Sequence, residues 1–157
     1  MGKSRYHANG FIPVNFPPAR RYMPAAIVNI VKGDVLHDNG AGFATNATVA
    51  FAATCLGVAA ADCDNSGGAA GDLNVEYYPL DTNTQYIVPV AQTALITTTA
   101  RGSMVDLENN DDIDLSDTVT EGIGFLIDEI DASADAILGN AFGYAIGHFV
   151  ITGTQAP

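Results

Sequence analysis

The sequence predicts an all-β protein in which a compact sandwich or barrel domain follows an extended N-terminal arm. Short runs of β-branched and aromatic residues recur along residues 25–157, and Gly, Asn and Asp separate them about every eight to twelve residues. Residues 1–24 differ because they hold four of the seven prolines, which suit neither a helix interior nor a central strand. For a chain of 157 residues we expect one domain with a substantial core.

The expected strands follow one another with turn residues between them. In chain order they are 25–31, 35–36, 56–61, 74–80, 84–90, 94–98, 103–107, 124–130 and 143–151. Tyr86, Val88 and Val90 recur at period two and should share one face of their strand. The secondary structure of two segments is left undecided by the sequence. Residues 44–61 mix alanines, which permit a helix, with β-branched residues, which favour a strand, and residues 131–138 are compatible with one helical turn.

The arm, residues 1–24, carries four basic and no acidic residues, whereas the rest of the chain carries two basic and all 18 acidic ones. Its aromatic residues favour burial, so we predict that the arm lies along a partner and inserts them. The candidate partner-binding residues are Lys3, Arg5, Tyr6, Phe11, Phe16, Arg20, Arg21 and Tyr22. Arg20 and Arg21 are expected to meet acidic surface on a neighbour, either another protein or a second copy. The alternative is a disordered tail, although such tails are usually poor in aromatics.

Composition narrows the class of partner. The net charge of −12 argues against nucleic-acid binding, which depends on cationic contacts to phosphate. The sequence contains no run of about 18 apolar residues, so no membrane-spanning helix is expected. No signal peptide is recognised either, and we therefore expect synthesis in a cytoplasm. Only 15% of residues are charged, well below the usual quarter. A surface with so few charges is typical of a protein that faces other proteins.

Two polar segments resemble cation loops, but the sequence favours plain loops. Residues 62–67 match the opening of a calcium loop, yet Leu73 stands where the bidentate Glu is required. Residues 109–117 hold four Asp, and we expect a solvated turn and a strand with Ile113 and Leu115 inward. Cys55 and Cys63 have no turn signal between them, so free thiols are expected. No metal or cofactor is predicted.

Nothing in the sequence predicts an enzyme. His7, His37 and His148 lack metal-ligand spacing, and no nucleophile or phosphate-binding motif occurs. His148 lies in an apolar run and is expected to be a packed, hydrogen-bonded ring. A hydrolase would require His37 or His148 to converge with two carboxylates in space.

From residue 31 onward, several short motifs resemble those of the small head decoration, or cement, proteins of tailed bacteriophages. The motifs are a shortened V-x-x-G-D-V-L start at 31–36, L-G-V-A at 56–59, P-V-A at 89–91, G-S-M-V-D-L at 102–107 and G-F-L-I-D-E-I at 124–130. The resemblance implies a barrel or tulip-like body, trimers on the capsid, and in some members an arm that reaches neighbouring subunits. The long arm and the 62–72 insertion depart from the shortest members.

The resemblance implies a structural virion protein on the capsid surface, with the major capsid protein and other copies of itself as partners. Each copy would staple neighbouring shell subunits, and multivalency would multiply a modest single-arm affinity. The alternative function is a head-fibre or tail-associated module that binds host carbohydrate. That alternative requires a groove of exposed aromatics, for which Tyr77, Tyr78 and Tyr86 are the clustered candidates.

Overall fold

The computed structural model describes residues 10–15, 17–46, 54–90, 100–119, 122–131 and 144–152. Within these ranges there are strands and no α-helix, so the all-β prediction is confirmed. The strands are β1 (Ile12–Pro13), β2 (Arg21–Pro24), β3 (Asn29–Ile30), β4 (Val35–Asp38), β5 (Ala44–Asn46), β6 (Cys55–Ala59), β7 (Cys63–Asp64), β8 (Asn74–Pro79), β9 (Gln85–Pro89), β10 (Met104–Asn109), β11 (Asp112–Thr118), β12 (Gly122–Asp131) and β13 (Tyr144–Thr152). The undecided segment 44–61 forms β5 and β6 where it is described. Its residues 47–53, residues 132–138 of the undecided segment 131–138, and the strand expected at 94–98 lie outside the described residues.

These strands form three antiparallel sheets. The first has six strands in the order β1-β9-β13-β12-β10-β11, the second has five in the order β2-β8-β6-β4-β5, and β3 pairs with β7. Single parallel bridges, Ala25 to Ala44 and Val90 to Ile113, link distant strands within the two larger sheets. A single bridge is not a ladder, so neither sheet closes along the described chain. The barrel alternative is therefore wrong for these residues.

The largest of three hydrophobic clusters among the described residues, core 1, lies against the six-stranded sheet. Its buried members are Phe11, Val35, Val58, Tyr86, Val88, Val90, Val105, Leu107, Ile113, Phe125, Ile127, Ala145 and Phe149. Tyr86, Val88 and Val90 share this core, which confirms the period-two prediction for β9. Since Val35 and Val58 come from β4 and β6, the five-stranded sheet also contributes to core 1.

The second core, core 2, collects the residues that neighbour those two valines in sequence. Leu36 follows Val35 and Ala59 follows Val58, and both belong to core 2 rather than core 1. Alternation along a strand turns successive side chains to opposite faces, so the five-stranded sheet is covered on both sides. The two thiols divide in the same way, because Cys55 packs against core 1 and Cys63 lies in core 2. Both cysteines are free, as predicted.

The described part of the predicted arm lies on the body of its own chain. β1 pairs with β9 at an edge of the six-stranded sheet, and β2 pairs with β8 at an edge of the five-stranded sheet. Pro13 and Pro24 are tolerated there because an edge strand leaves one side of its backbone unpaired. The sequence predicts the arm over residues 1–24 as a segment separate from the body. Residues 1–9 and Phe16 lie outside the described residues, so for these positions the separation stays a prediction.

Candidate partner-binding surface

Phe11 is the candidate partner-binding residue whose position differs most from the prediction. Its side chain is only 1% exposed and belongs to core 1. The ring stacks on Phe149 at 5.5 Å between centroids and meets Phe125 edge-on at 5.3 Å. Aromatic residues bury large apolar areas, and this one is buried within its own chain. Phe11 therefore belongs to the core of its own chain in this structure, and a contact between Phe11 and a partner stays a prediction.

The exposed half of the described segment is β2 and the residues before it. We call Arg20, Arg21 and Tyr22 the cationic strip. Tyr22 is 69% exposed, whereas its neighbour Met23 packs against core 2. Alternation along β2 therefore turns the tyrosine away from core 2. All three candidate residues are exposed at this sheet edge, with Arg21 on the face of β2 opposite to Tyr22.

Arg20 is held by two residues of the adjacent strand. Its guanidinium donates to Glu76 Oε1 at 2.8 Å and lies 5.5 Å from the centroid of the Tyr78 ring. The hydrogen bond to Glu76 raises the pKa of Arg20 above its usual value. The acidic partner expected on a neighbour is thus found on its own chain. Arg21, directly opposite Tyr77 in the β2–β8 register, is exposed.

Exposed apolar side chains accompany the strip. Among the described residues, the large hydrophobics with the greatest exposure are Val14, Tyr22, Ile27, Val31, Leu73 and Ile151. Three of these six lie within residues 20–32, which also hold Arg20, Arg21 and Lys32. Leu73 joins them, because its carbonyl accepts a 2.8 Å hydrogen bond from Ala25 N. Residues 20–32, the contact segment, therefore combine positive charge with exposed apolar side chains.

Asn65 organises the loop that supports this segment, a role the sequence reading missed. Asn65 is 2% exposed, and its Nδ2 donates to the carbonyls of Ala25 at 3.2 Å, Ala26 at 3.1 Å and Ala69 at 2.9 Å. Its own N–H donates to Val28 O at 3.0 Å. One buried amide thus joins the 62–73 loop to the chain that follows β2. The signal was an Asn inside a polar run, where local side-chain hydrogen bonds are common.

The carboxylates of the calcium-like loop accept hydrogen bonds from nearby donors. Asp62 accepts from Lys32 N at 2.8 Å, and Asp72 accepts from Ala69 N at 2.8 Å. Asp64 accepts from both the hydroxyl and the N–H of Ser66, and the hydroxyl bond lowers the pKa of Asp64. Among the described residues no group of three or more His, Cys, Asp or Glu is arranged to hold a metal ion.

The acidic hairpin β10–β11 folds as predicted, with Ile113 buried in core 1 and Leu115 packed against it. Asp112 accepts from Asn109 N at 2.9 Å. Burial, followed by the neighbouring Asp111, raises the pKa of Asp112. Ser116 donates to Asp114, and this bond lowers the pKa of that carboxyl. Asp112 and Asp114 thus lie on an edge strand of the six-stranded sheet, whereas the cationic strip lies at an edge of the five-stranded sheet.

The histidines do not form the arrangement that a hydrolase would need within the described residues. His148 Nδ1 lies 2.7 Å from Asp128 Oδ2, which also accepts from Gln85 Nε2 at 3.2 Å. This is the hydrogen-bonded ring expected for His148, with one carboxylate rather than two. Burial lowers the pKa of His37, and its Nε2 has no hydrogen-bond partner in the described chain.

The alternative function, carbohydrate binding, requires Tyr77, Tyr78 and Tyr86 to be exposed in a groove. Tyr77, Tyr78 and Tyr86 are all buried, and Tyr86 lies in core 1. Burial raises the pKa of Tyr86 well above its usual value. These three rings cannot form an exposed stacking groove in this fold, so the feature on which the alternative function depended is missing from these residues.

Comparisons with known proteins leave the family open. Neither a scan against protein-family models nor a search of curated proteins found a match. Along the described parts of the chain, no helix has the length and apolar character needed to cross a membrane.

Proposed function

We propose that this protein is a structural virion protein that binds the outer surface of a phage capsid and staples neighbouring shell subunits. The observation that carries the proposal is the contact segment, in which exposed Arg21 and Tyr22 lie on an edge strand of a protein whose net charge is −12. A cationic and aromatic surface on such an acidic chain fits a protein partner with acidic and apolar patches. Aromatic and Arg residues are enriched in protein interfaces.

The charge distribution supports a role in orientation. Arg20 is already paired with Glu76, so Arg21 and Lys32 carry the remaining positive charge of the contact segment toward a neighbour. Exposed charges contribute mainly to association rate and register. Residues 1–9, with Lys3, Arg5 and Tyr6, extend the same chemistry in our proposal. Repeated weak contacts then become strong attachment when several copies, proposed to be trimers, act together on one lattice.

The most direct test is the copy number in purified virions. Quantitative mass spectrometry should give this protein in a fixed ratio to the major shell protein, with a copy number comparable to that of the shell protein. Absence from washed virions would refute a decoration role. A ratio of a few copies per particle would point instead to a head-fibre or tail position.

A binding assay tests the contact segment itself. An Arg21→Glu/Tyr22→Ala variant should decorate isolated shells more slowly and more weakly than the parent chain at low salt. Arg101→Glu is the matched control, because it reverses an exposed charge outside the segment. Equal decoration by both variants would show that β2 does not form the contact.

A further inference from the structure

Residues 10–15, the Phe11 segment, attach to the edge of the six-stranded sheet through a short backbone pairing and through the buried side chain of Phe11. Ile12 and Pro13 alone pair with β9, opposite Ile87 and Tyr86. Phe11, immediately before them, lies at the centre of an aromatic cluster in core 1. This arrangement matches recognition by strand addition, in which backbone bonds hold an extended segment and a pocket accepts one of its side chains.

The slot for this segment is specific at both of its ends. At one end Phe11 N donates to Gly33 O at 2.9 Å, and a Cβ on Gly10 would come within 2.6 Å of that same oxygen. At the other end Asn15 Oδ1 accepts from Gln85 N at 2.8 Å, and Asn15 Nδ2 donates to Gln85 Oε1 at 3.3 Å. The slot therefore selects residues 10–15 in a single register.

The chain that connects the Phe11 segment to β2 is short and contains proline. Pro17 and Pro18 lie in the stretch between the Phe11 segment and β2, where proline removes backbone donors. The segment docks on the six-stranded sheet, whereas β2 docks on the five-stranded sheet. Residues 14–20 can span at most about 23–25 Å when extended. A tightly specified strand is thus tethered by a short proline-containing connector.

We propose that the Phe11 segment exchanges between copies of this chain, so that the segment of one copy fills the slot on β9 of a second copy. The contacts made across copies are the same as those made within one copy, because the donor and the slot are identical in sequence. Exchange of an identical element is a low-cost route to association. This inference deepens the proposed function and rests on it in one respect. A shell that holds copies of this protein side by side would give them the high effective concentration that exchange requires.

Disulfide trapping in the free protein tests the exchange without any shell. Val14 N donates to Gln85 O, so these two residues lie opposite each other across the β1–β9 pair, at a separation suited to a disulfide. Val14→Cys and Gln85→Cys are made on separate full-length chains carrying tags of different mass. The two chains are mixed in denaturant, refolded together at high concentration and oxidised. A cross-linked heterodimer on a non-reducing gel is the expected result.

Two controls give the heterodimer its meaning. Ile123→Cys and Ile151→Cys on separate chains are opposite each other within the long β12–β13 ladder, where exchange would require dismantling the sheet. This pair should yield about tenfold less heterodimer. Adding Phe11→Ala to the Val14→Cys chain should lower heterodimer yield by a similar factor, because the donor loses its anchor. The native Cys55 and Cys63 need not be replaced in these chains, because both thiols resist oxidation in the refolded protein. Burial raises the pKa of Cys55 to about 12, and Cys63 is buried.

A single chain carrying both Val14→Cys and Gln85→Cys decides the remaining outcomes. If it forms only an intramolecular disulfide and the mixed chains form no heterodimer above the control pair, the exchange is refuted. If neither disulfide forms, the docking of residues 10–15 on β9 is itself refuted, and the exchange with it. Decoration of shells by the intramolecularly bridged chain is a separate measurement. Decoration without exchange would leave the proposed function intact, and exchange without decoration would leave only the exchange.

Discussion

The two described halves of the N-terminal segment each hold proline and one aromatic residue, but they lie in opposite environments. Residues 10–15 place Phe11 in core 1 at 1% exposure, whereas residues 17–24 leave Tyr22 69% exposed on an edge strand. Both halves lie at sheet edges. The difference lies in what each strand covers. β1 borders a slot that opens into core 1, whereas alternation along β2 turns Met23 to core 2 and Tyr22 away from it.

This comparison shows that aromatic content predicts a need for contact without specifying the partner. A ring that finds a matching cavity in its own chain becomes core, and a ring that does not stays available to another chain. The same distinction applies to charge. Arg20 pairs with Glu76 within the chain, whereas its neighbour Arg21 is exposed to solvent.

The largest expected effect is on the buried half. Phe11→Ala should lower the free energy of unfolding by about 3–5 kcal/mol, since a buried ring is removed from a packed core. Tyr22→Ala is the matched aromatic truncation on the exposed half and should change stability by less than about 0.5 kcal/mol. Denaturant titrations of the two variants measure the contrast. Similar losses in both would remove the distinction between the halves.

The exposed half has its own structural support in Asn65. Asn65→Ala should cost about 1–3 kcal/mol, because three backbone carbonyls lose a buried donor. Hydrogen exchange should accelerate first at Gly71, whose N–H donates to Ala25 O. Asn83→Ala, a change at an exposed asparagine, serves as the control. An unchanged exchange rate at Gly71 would show that Asn65 does not hold the loop.

The turn that receives the buried half contains a carboxylate, and its stability should depend on pH. Asp34 is 3% exposed and accepts from Val31 N at 2.9 Å, one residue from the Gly33 carbonyl that holds Phe11. Burial raises the pKa of Asp34 above its ordinary value of 3.8, with Asp111 adding to the effect. The folded state therefore binds this proton more tightly than the unfolded state. The stabilisation is full below the unfolded pKa and is lost as pH rises through the folded pKa.

Asp34→Asn, which keeps an acceptor but removes the charge, should therefore stabilise the protein at neutral pH, and the advantage should shrink toward pH 4. Urea titrations across this range measure it. Taking the difference from the parent chain cancels the opposite contribution of His37, whose pKa is lowered by burial. Asp117→Asn removes the same charge at an exposed site. A variant less stable than the parent at pH 7 would mean that the charged form of Asp34 is the one the fold needs.

The smallest expected effect is on the protection of the segment itself. The amide of Phe11 should exchange slowly in the free protein, because it donates to Gly33 O beside a buried ring. The amide of Ala19, in the exposed connector, should exchange quickly and is the internal comparison. Equal, fast exchange at both positions would place the whole segment off the body in solution.

The sequence reading was most accurate where alternation and turn chemistry act locally. β9, β12 and β13 were predicted within one or two residues, and Ile113 was correctly placed inward. It was less accurate where register changes. Alternation alone would place Ile130 on the same face as Leu126, but a bulge between Ile127 and Glu129 lets Ile130 pack against core 1. An inserted residue shifts the alternation, and nothing local in the sequence marks it.

For the candidate site, the sequence identified residues of the expected chemistry but not their environments. Arg20, Arg21 and Tyr22 are exposed, whereas Phe11 is buried and Tyr77, Tyr78 and Tyr86 are covered. Asn65 was read as part of a cation-like loop, although its amide is what ties that loop down. Burial of a side chain depends on which distant strands meet above it, and that pairing is not encoded in local spacing.

Local sequence patterns are enough to predict the all-β class, most strand positions, the free thiols and the split between a basic N-terminus and an acidic body. These follow from local propensity, side-chain period and charge, which act over a few residues. Three further features became visible only in the folded chain: the sheets stay open, Phe11 enters core 1, and Arg20 pairs with Glu76. Those outcomes depend on contacts between residues 56 or more positions apart, such as Arg20 with Glu76 and Phe11 with Phe149. Contacts of that range are specified by the fold as a whole.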